Sequence, residues 1–455
     1  MTNPTRTLVA ATLALAVTAG AQAFAAEREL TVTVYNQNLA LVKDTRTLDL
    51  GAGRQTFALT DVSAQIDPTS VHLVGKGGGG LTVLEQNYRY DLVSADKVLE
   101  RYVDHDITVA GKDGKGTSGR LLSFDGASLV LDRKPGISIV NRMEVKEVQF
   151  ADLPGGLITK PTLVWMLDNA GAAKRDAQLS YLTGGLSWHA EYVAVLDDSD
   201  KNLSWSGWVS LDNESGTSYP NAKLKVVAGD VNRVQDNVPV PRAQFEMMAK
   251  TVDAAQGFEE QAFFEYHLYT LARPTTLADK ETKQLSLFPT SSVASSKFYT
   301  YERSRDPKKV RVTMEFKNSA AAGLGMPLPM GKVRVYKEDK AGAQEFVGED
   351  RIDHTAKDET VRLTIGNAFD VTGEYRQTDQ RRISDREIEA SHEIKIRNHK
   401  AESVTVKVVE HAYGDWRVTT SSPADFVKKD ATTLEFLVLV PADGEKVVTY
   451  TVRQK

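Results

Sequence analysis

The stretch Leu30-Thr31-Val32-Thr33-Val34-Tyr35 shows the pattern that decides the fold. Apolar and polar side chains alternate in it one by one, which places the apolar set on one face of an extended strand. Five later stretches repeat this alternation: 310–316, 360–365, 391–396, 404–409 and 447–452. Because each such strand must bury one face, the chain is predicted to be mostly β, with tandem β-sandwich domains.

The residues upstream of the first strand have a different composition. Arg6 is the only charged residue among the first 26, an apolar run follows at 8–17, and Ala23-Phe24-Ala25 precedes polar residues. This order is typical of a cleaved signal peptide, and the run is shorter than the roughly 20 apolar residues of a membrane-spanning helix. We therefore predict a signal peptide over 1–26, a periplasmic location and no transmembrane segment; a buried N-terminal helix is the alternative.

Composition limits the chemistry of the chain. It has 455 residues and no cysteine, which excludes disulfides and thiolate metal sites. A net charge of −5 with both signs interspersed argues against a nucleic-acid partner. The pair His392-Glu393 is followed by His399, seven residues on, whereas a zinc-binding helix needs histidines four apart. We predict no cofactor and no metal.

Short strands and glycine turns divide the first half of the chain. Five short strands within 103–152 predict a small SH3-like or Sm-like barrel, with a continuation of the flanking sheet as the alternative. This unit separates an N-terminal β domain over 27–102 from β-sandwich strands over 153–235.

The second half contains one interruption of the strand pattern. Residues 243–268 are rich in Ala, Glu and Met with helix-like spacing, so 236–305 is predicted to be one short helical or loop insertion. A C-terminal immunoglobulin-like β-sandwich is predicted over 306–455. Its strands either form a separate domain or complete a sheet begun before the insertion.

Aromatic residues concentrate in the strands before the insertion. Around a hairpin turn at 197–202, Leu203, Trp205, Val209 and Leu211 fall on one face, whereas Trp208 falls among serines on the other. An aromatic platform for a partner is one interpretation, and core packing between two sheets is the other. The predicted binding residues are Trp188, His189, Tyr192, Trp208, Asp230 and Arg233.

Two functions from different classes fit these residues. The favoured one is a binding or scaffold module for a protein or glycan partner in the cell envelope. The alternative is a hydrolase of an envelope polymer, with His189, Asp230, Arg233, Glu265 or His267 gathered under the insertion. No catalytic residue is assigned, and whether the chain is an enzyme stays open. Glu410-His411, near Trp416, is predicted to serve a buried, hydrogen-bonded aromatic corner.

Several motifs in order resemble a bacterial family described as "domain of unknown function 4139". They are Leu179 to Tyr192, Asn221 to Leu224, Val227 to Arg233, Glu265 to Tyr269, Glu281 to Gln284, Asn398 to Lys400 and Gly414 to Trp416. The resemblance covers most of the chain after the signal peptide and implies a β-rich envelope protein, more distantly similar to the mucoidy-inhibitor proteins. Those proteins usually carry a long coiled-coil insertion, which is short here. The family implies no activity and no catalytic residues.

Overall fold

The computed structural model describes residues 28–77, 79–112, 114–155, 157–229, 231, 258–263 and 266–455. The predicted signal peptide over 1–26 lies outside these residues, as does the part 236–257 of the predicted insertion. The described residues are mostly strands with one α-helix, which confirms the mostly β fold. No helix within these ranges is long and apolar enough to cross a membrane.

The first half consists, in its described residues, of strands with one α-helix and with 3-10 turns at Pro68–Ser70 and Arg142–Glu144. The first strands are β1 (Glu29–Tyr35), β2 (Leu39–Asp49), β3 (Gly53–Leu59), β4 (His72–Gly75) and β5 (Leu81–Arg89). Then come α1 (Ala95–Arg101), β6 (Asp106–Gly111), β7 (Gly116–Phe124), β8 (Ser128–Asp132), β9 (Ile137–Asn141) and β10 (Val145–Gln149). The next strands are β11 (Thr162–Asn169), β12 (Lys174–Thr183), β13 (Leu186–Leu196), β14 (Asn202–Asn213) and β15 (Tyr219–Ala228).

The described residues of the second half form strands and one short 3-10 turn at Ala320–Ala322. Its first strands are β16 (Phe258–Phe263), β17 (Tyr266–Leu271), β18 (Thr275–Leu277), β19 (Glu281–Glu302), β20 (Lys309–Lys317), β21 (Gly331–Glu338) and β22 (Gln344–Ile352). The last are β23 (Thr360–Arg382), β24 (Ile388–Asn398), β25 (Val404–His411), β26 (Trp416–Ser422), β27 (Val427–Lys428), β28 (Thr433–Val440) and β29 (Gly444–Gln454).

The N-terminal strands share a sheet with strands from the middle of the chain. The order is β16-β17-β15-β1-β2-β12-β4, with β18 beside β15, and β1 lies parallel to β15 with Val32 opposite Leu224. The strands β3 and β5 flank β11 in a second sheet. The predicted division between 27–102 and 153–235 therefore does not coincide with a sheet boundary.

The small unit is inserted between β5 and β11, which pair with Arg89 opposite Thr162. Its five strands lie where they were predicted, in the order β10-β6-β7-β8-β9. Their buried side chains join Val98 and Leu99 of α1, and Tyr102 at its C-terminal end, in a core of their own. A single 3-10 turn, Arg142–Glu144, connects the outer strands β9 and β10.

The described part of the predicted helical insertion is extended chain. Residues 258–263 and 266–271 form the hairpin β16–β17, so a helix is wrong for them. The reason is tertiary: β17 pairs with the edge of β15 and places Tyr269 opposite Val226, and such pairing outweighs local helix propensity.

The largest sheet joins the strands on both sides of the insertion. Its order is β22-β21-β13-β14-β19-β20-β23-β24-β29-β26, and β25 pairs with both β19 and β28. Of the two versions open to the sequence, the strands β20 to β23 complete a sheet begun by β13 and β14. The later strands β24 to β29 surround a separate core. The long strands β19 and β23 contribute to both parts.

Candidate functional site

A cleft of about 460 Å³ lies where three strands of the largest sheet meet the turn between β1 and β2. Its walls come from 188–191 of β13, from 329–332 at the start of β21, and from 351–354 at the end of β22. Asn36 of the turn completes the lining. We call this the central cleft.

The central cleft exists because β21 covers only part of β13. Parallel pairing begins with Ala190 opposite Gly331, so the preceding residues of β13, 186–189, have β14 on one side and no strand of the described residues on the other. Gly331 is required at the start of the pairing, since a Cβ there would lie 2.3 Å from the carbonyl oxygen of Ala190. The backbone edge of β13 is therefore open along the cleft.

Two buried tyrosines hold the segment before β21 away from that edge. Tyr192 donates a hydrogen bond of 2.7 Å to the carbonyl of Pro329, and Tyr269 donates one of 3.0 Å to the carbonyl of Pro327. The prolines themselves have no N–H to donate to a neighbouring strand. At this point the edge of β13 therefore pairs with no other segment of the described residues.

The buried side-chain oxygen of Asn36 adds an unmet hydrogen-bond acceptor. Its Oδ1 has no hydrogen-bond partner among the residues that the structure describes. A buried acceptor without a donor costs roughly 1–3 kcal/mol, so this oxygen lowers the stability of the turn at the wall of the cleft.

Charged side chains of both signs lie in register across the outer face beside the cleft. Cross-strand pairing sets Trp208 opposite Glu191, Glu191 opposite Lys332, and Lys332 opposite Arg351. Arg351 and Asp353 are exposed, and neither side chain has an ion pair or hydrogen bond among the described residues. Both signs are therefore available to a ligand in the cleft.

The carboxyl group of Glu191 is ionised and interacts with the neighbouring side chains. Arg334 approaches it at 3.1 Å, Gln284 donates a hydrogen bond of 3.1 Å, and the Nε2 atom of His189 lies 3.5 Å away. Burial opposes ionisation of this carboxyl, yet the hydrogen bond and charge of Arg334 hold its pKa below the usual value. A carboxylate held in this way fixes charge at the wall of the cleft.

The predicted binding residues divide between core and surface. Trp188 and Tyr192 are buried, Trp188 donating to the carbonyl of Val227 at 3.1 Å, so they pack the core and offer no flat platform. Trp208 is 38% exposed and lies on the outer face with His189. Its predicted role in binding is untested. Asp230 and Arg233 lie outside the described residues.

The residues of the hydrolase alternative do not meet in the described part of the chain. His267 faces Glu260 of the neighbouring strand, with Nδ1 and Oε1 2.7 Å apart, on the hairpin β16–β17. His189 lies beside Glu191 in the central cleft. Glu265 and Asp230 fall outside the described ranges, so this alternative stays a prediction.

Several lining residues had no signal in the sequence. Asn36, Met330, Arg351, Asp353 and His354 are brought together by the parallel pairing of β13 with β21 and by the pairing of β21 with β22. His354 accepts a hydrogen bond from the backbone N–H of Met330 at 3.2 Å, which fixes the mouth of the cleft. Within the described ranges, no group of three or more His, Asp or Glu side chains is placed to hold a metal ion.

Comparisons with known proteins leave the family open. No protein-family model matches the chain, and no curated protein matches it. The resemblance drawn from the motifs therefore stays a prediction.

Proposed function

We propose that the protein is a binding module of the bacterial cell envelope whose central cleft accepts an extended segment of a protein partner. The observation that carries this proposal is the open backbone edge of β13 at 186–189, beside a cleft of about 460 Å³. An extended peptide can pair with such an edge through its main chain, while its side chains meet the walls. The signal-peptide pattern at 1–26 supports the envelope location.

The chemistry of the walls favours a peptide over a sugar in this cleft. Arg351 and Asp353 offer opposite charges to alternating peptide side chains. The apolar side chain of Met330, which is exposed at the mouth, offers a contact for an apolar side chain of the segment. We therefore expect the bound segment to be an extended peptide with both positively and negatively charged side chains.

Selection from a display library of linear peptides on the full chain tests the proposal. We expect enriched peptides to bind the wild-type chain and to protect the amide of Trp188 from hydrogen exchange, since this amide points away from β14. The double variant Arg351→Glu, Asp353→Lys should weaken that binding by about tenfold or more, since it reverses both free charges. The matched control is Arg89→Glu, an exposed arginine of β5 whose side chain has no partner among the described residues.

Two results would overturn the proposal. One is a set of enriched peptides that bind the double variant as well as they bind the wild-type chain. The other is the absence of peptide enrichment together with oligosaccharide binding that the double variant abolishes, which would assign the cleft to a glycan.

A further inference from the structure

A second cleft opens on the C-terminal part, at the end of its longer sheet. It consists of two adjoining cavities of about 290 Å³ and 430 Å³. Gln380, Ile388, Tyr413 and Gln454 line both cavities, so the two are continuous. We call this the C-terminal groove.

The groove arises because the two layers differ in length. β25 and β28 end beside each other with His411 opposite Thr433, whereas β23, β24 and β29 continue to the row of Arg382, Ile388 and Gln454. The uncovered face of the longer sheet is the floor of the groove. Because β24 is paired on both sides, the part of the floor that it forms offers side chains and no open backbone edge. Beyond Thr372, the outer edge of β23 pairs with no strand among the described residues.

A buried carboxylate lies behind the inner end of the groove. Glu410 is 1% exposed, and its Oε2 atom accepts from Tyr450 at 2.6 Å and lies 3.1 Å from Nη2 of Arg303. Its Oε1 atom has no hydrogen-bond partner among the described residues. Burial raises the pKa of Glu410, against the hydrogen bond from Tyr450 and the charge of Arg303. The predicted hydrogen-bonded corner at Glu410 is thus present. Its partners Tyr450 and Arg303 also line the groove.

An aromatic stack sets the position of the same arginine. The ring of His392 lies between Tyr375 and Tyr450, with ring centroids 5.8 Å and 4.8 Å away. The guanidinium carbon of Arg303 lies 4.1 Å from the centroid of Tyr375, close enough for a cation–π contact. Arg303 is therefore held by Glu410 and Tyr375, and it presents a fixed donor group to the groove.

The lining combines amides, an exposed ring and an excess of positive charge. Gln377, Gln380 and Gln454 provide amides, which both donate and accept hydrogen bonds as sugar hydroxyls do. Tyr413 is 71% exposed at the junction of the two cavities. The charged side chains of the lining are Arg303, Arg382, Arg386, Lys455 and one carboxylate, Asp385.

We propose that the C-terminal groove binds an acidic oligosaccharide, a chain of sugars that carry carboxylates. The ring of Tyr413 packs against a sugar face, the glutamines bond to hydroxyls, and Arg386 with Arg303 meets the carboxylates. Arg386 has no ion-pair partner among the described residues, so its charge is available.

Calorimetric titration of the full chain with oligogalacturonate tests this inference, and a neutral maltooligosaccharide of the same length is the comparison ligand. We expect the acidic sugar to bind, the neutral one to bind at least about tenfold more weakly, and the affinity to fall as salt rises. Tyr413→Ala and Arg386→Gln should each weaken binding by about tenfold. Tyr90→Ala, which removes a tyrosine of equal exposure, should leave binding unchanged.

Several outcomes would overturn the inference. Equal affinity for the neutral and acidic sugars would remove the role of charge, and full binding by Tyr413→Ala would remove the role of the groove. Binding of a poly-glutamate peptide that competes with the sugar and depends equally on Tyr413 and Arg386 would assign the groove to a protein segment. No detectable binding of oligogalacturonate at low salt would also contradict it. None of these results bears on peptide binding at the central cleft, because Arg351 and Asp353 are not part of the groove.

Discussion

The hydroxyl of Tyr450 donates a hydrogen bond of 2.6 Å to the Oε2 atom of Glu410, deep in the C-terminal part of the protein. Tyr450→Phe removes the donor and leaves the buried carboxyl with Arg303 alone. We expect a loss of about 1–3 kcal/mol in the free energy of unfolding, measured by urea denaturation. Tyr90→Phe, at an exposed position, is the control. Equal stability of the Tyr450→Phe and Tyr90→Phe variants would contradict the role given to this bond.

The raised pKa of Glu410 makes stability depend on pH in a defined direction. The folded protein keeps the carboxyl proton to higher pH than the unfolded chain, where the group titrates near 4.5. The stabilising contribution is therefore present below pH 4.5 and is lost as pH rises through the folded pKa. We expect the stability of Glu410→Gln relative to wild type to increase between about pH 4 and about pH 7. A difference that is constant over this range would be inconsistent with a raised pKa.

His392 should titrate far below an ordinary histidine. Burial, together with the charge of Arg303, lowers the pKa of His392 to about 4 from the usual 6.5. Its contribution to stability is thus present above pH 6.5 and is lost as pH falls through about 4. The ring-proton chemical shifts in NMR spectra measure this midpoint directly. Arg303→Gln should raise it, and a midpoint near 6.5 in the wild-type chain would show that the stack is open to water.

Two tryptophans three residues apart should respond differently to truncation. Trp205 is fully buried against Tyr192, at a ring distance of 4.9 Å, whereas Trp208 is 38% exposed. We expect Trp205→Ala to cost about 3–5 kcal/mol and Trp208→Ala less than about 1 kcal/mol in unfolding free energy. A large loss for Trp208→Ala would show that its exposed ring is a structural contact and would weaken the hypothesis that it serves binding.

Gly331→Ala tests the close approach at which the pairing of β13 with β21 begins. The added Cβ would lie 2.3 Å from a carbonyl oxygen of the neighbouring strand, so the strands must shift. We expect a loss of about 1–3 kcal/mol in unfolding free energy together with weaker peptide binding in the central cleft. Gly366→Ala in β23 is the matched control, since its Cβ would meet no atom within 4 Å. If the two variants are equally stable, the approach at Gly331 is not tight.

The sequence predicted which segments form strands, and which faces they bury, better than it predicted which strands pair with each other. The alternation at 30–35 gives strand β1, and the predicted buried face with Leu203, Trp205 and Val209 is confirmed. Period-two patterns report which face of a strand is buried because the burial of each side chain is a local property. The five short strands of the small unit were also predictable from local features, because glycine turns mark where each strand ends.

The pairing of distant strands had no comparable signal. β1 lies parallel to β15, and β13 lies parallel to β21, with more than one hundred residues between the partners in each case. Such partners are chosen by the fit of whole layers, which local alternation does not encode. The central cleft depends on these pairings, so the sequence could suggest His189 but not Arg351 or Asn36. The prediction of a helix in the described part of the insertion was wrong for the same reason. Pairing of β17 with β15, and of β16 with β17, makes these residues strands.

The 22-residue strand β19 and the 23-residue strand β23 run through both halves of the largest sheet. Rotation of one half against the other would have to break main-chain hydrogen bonds along both strands. The two strands therefore resist such a rotation. The central cleft and the C-terminal groove are therefore held at a constant separation. A protein partner bound in the central cleft and a sugar chain bound in the C-terminal groove would therefore be held at a set distance from each other.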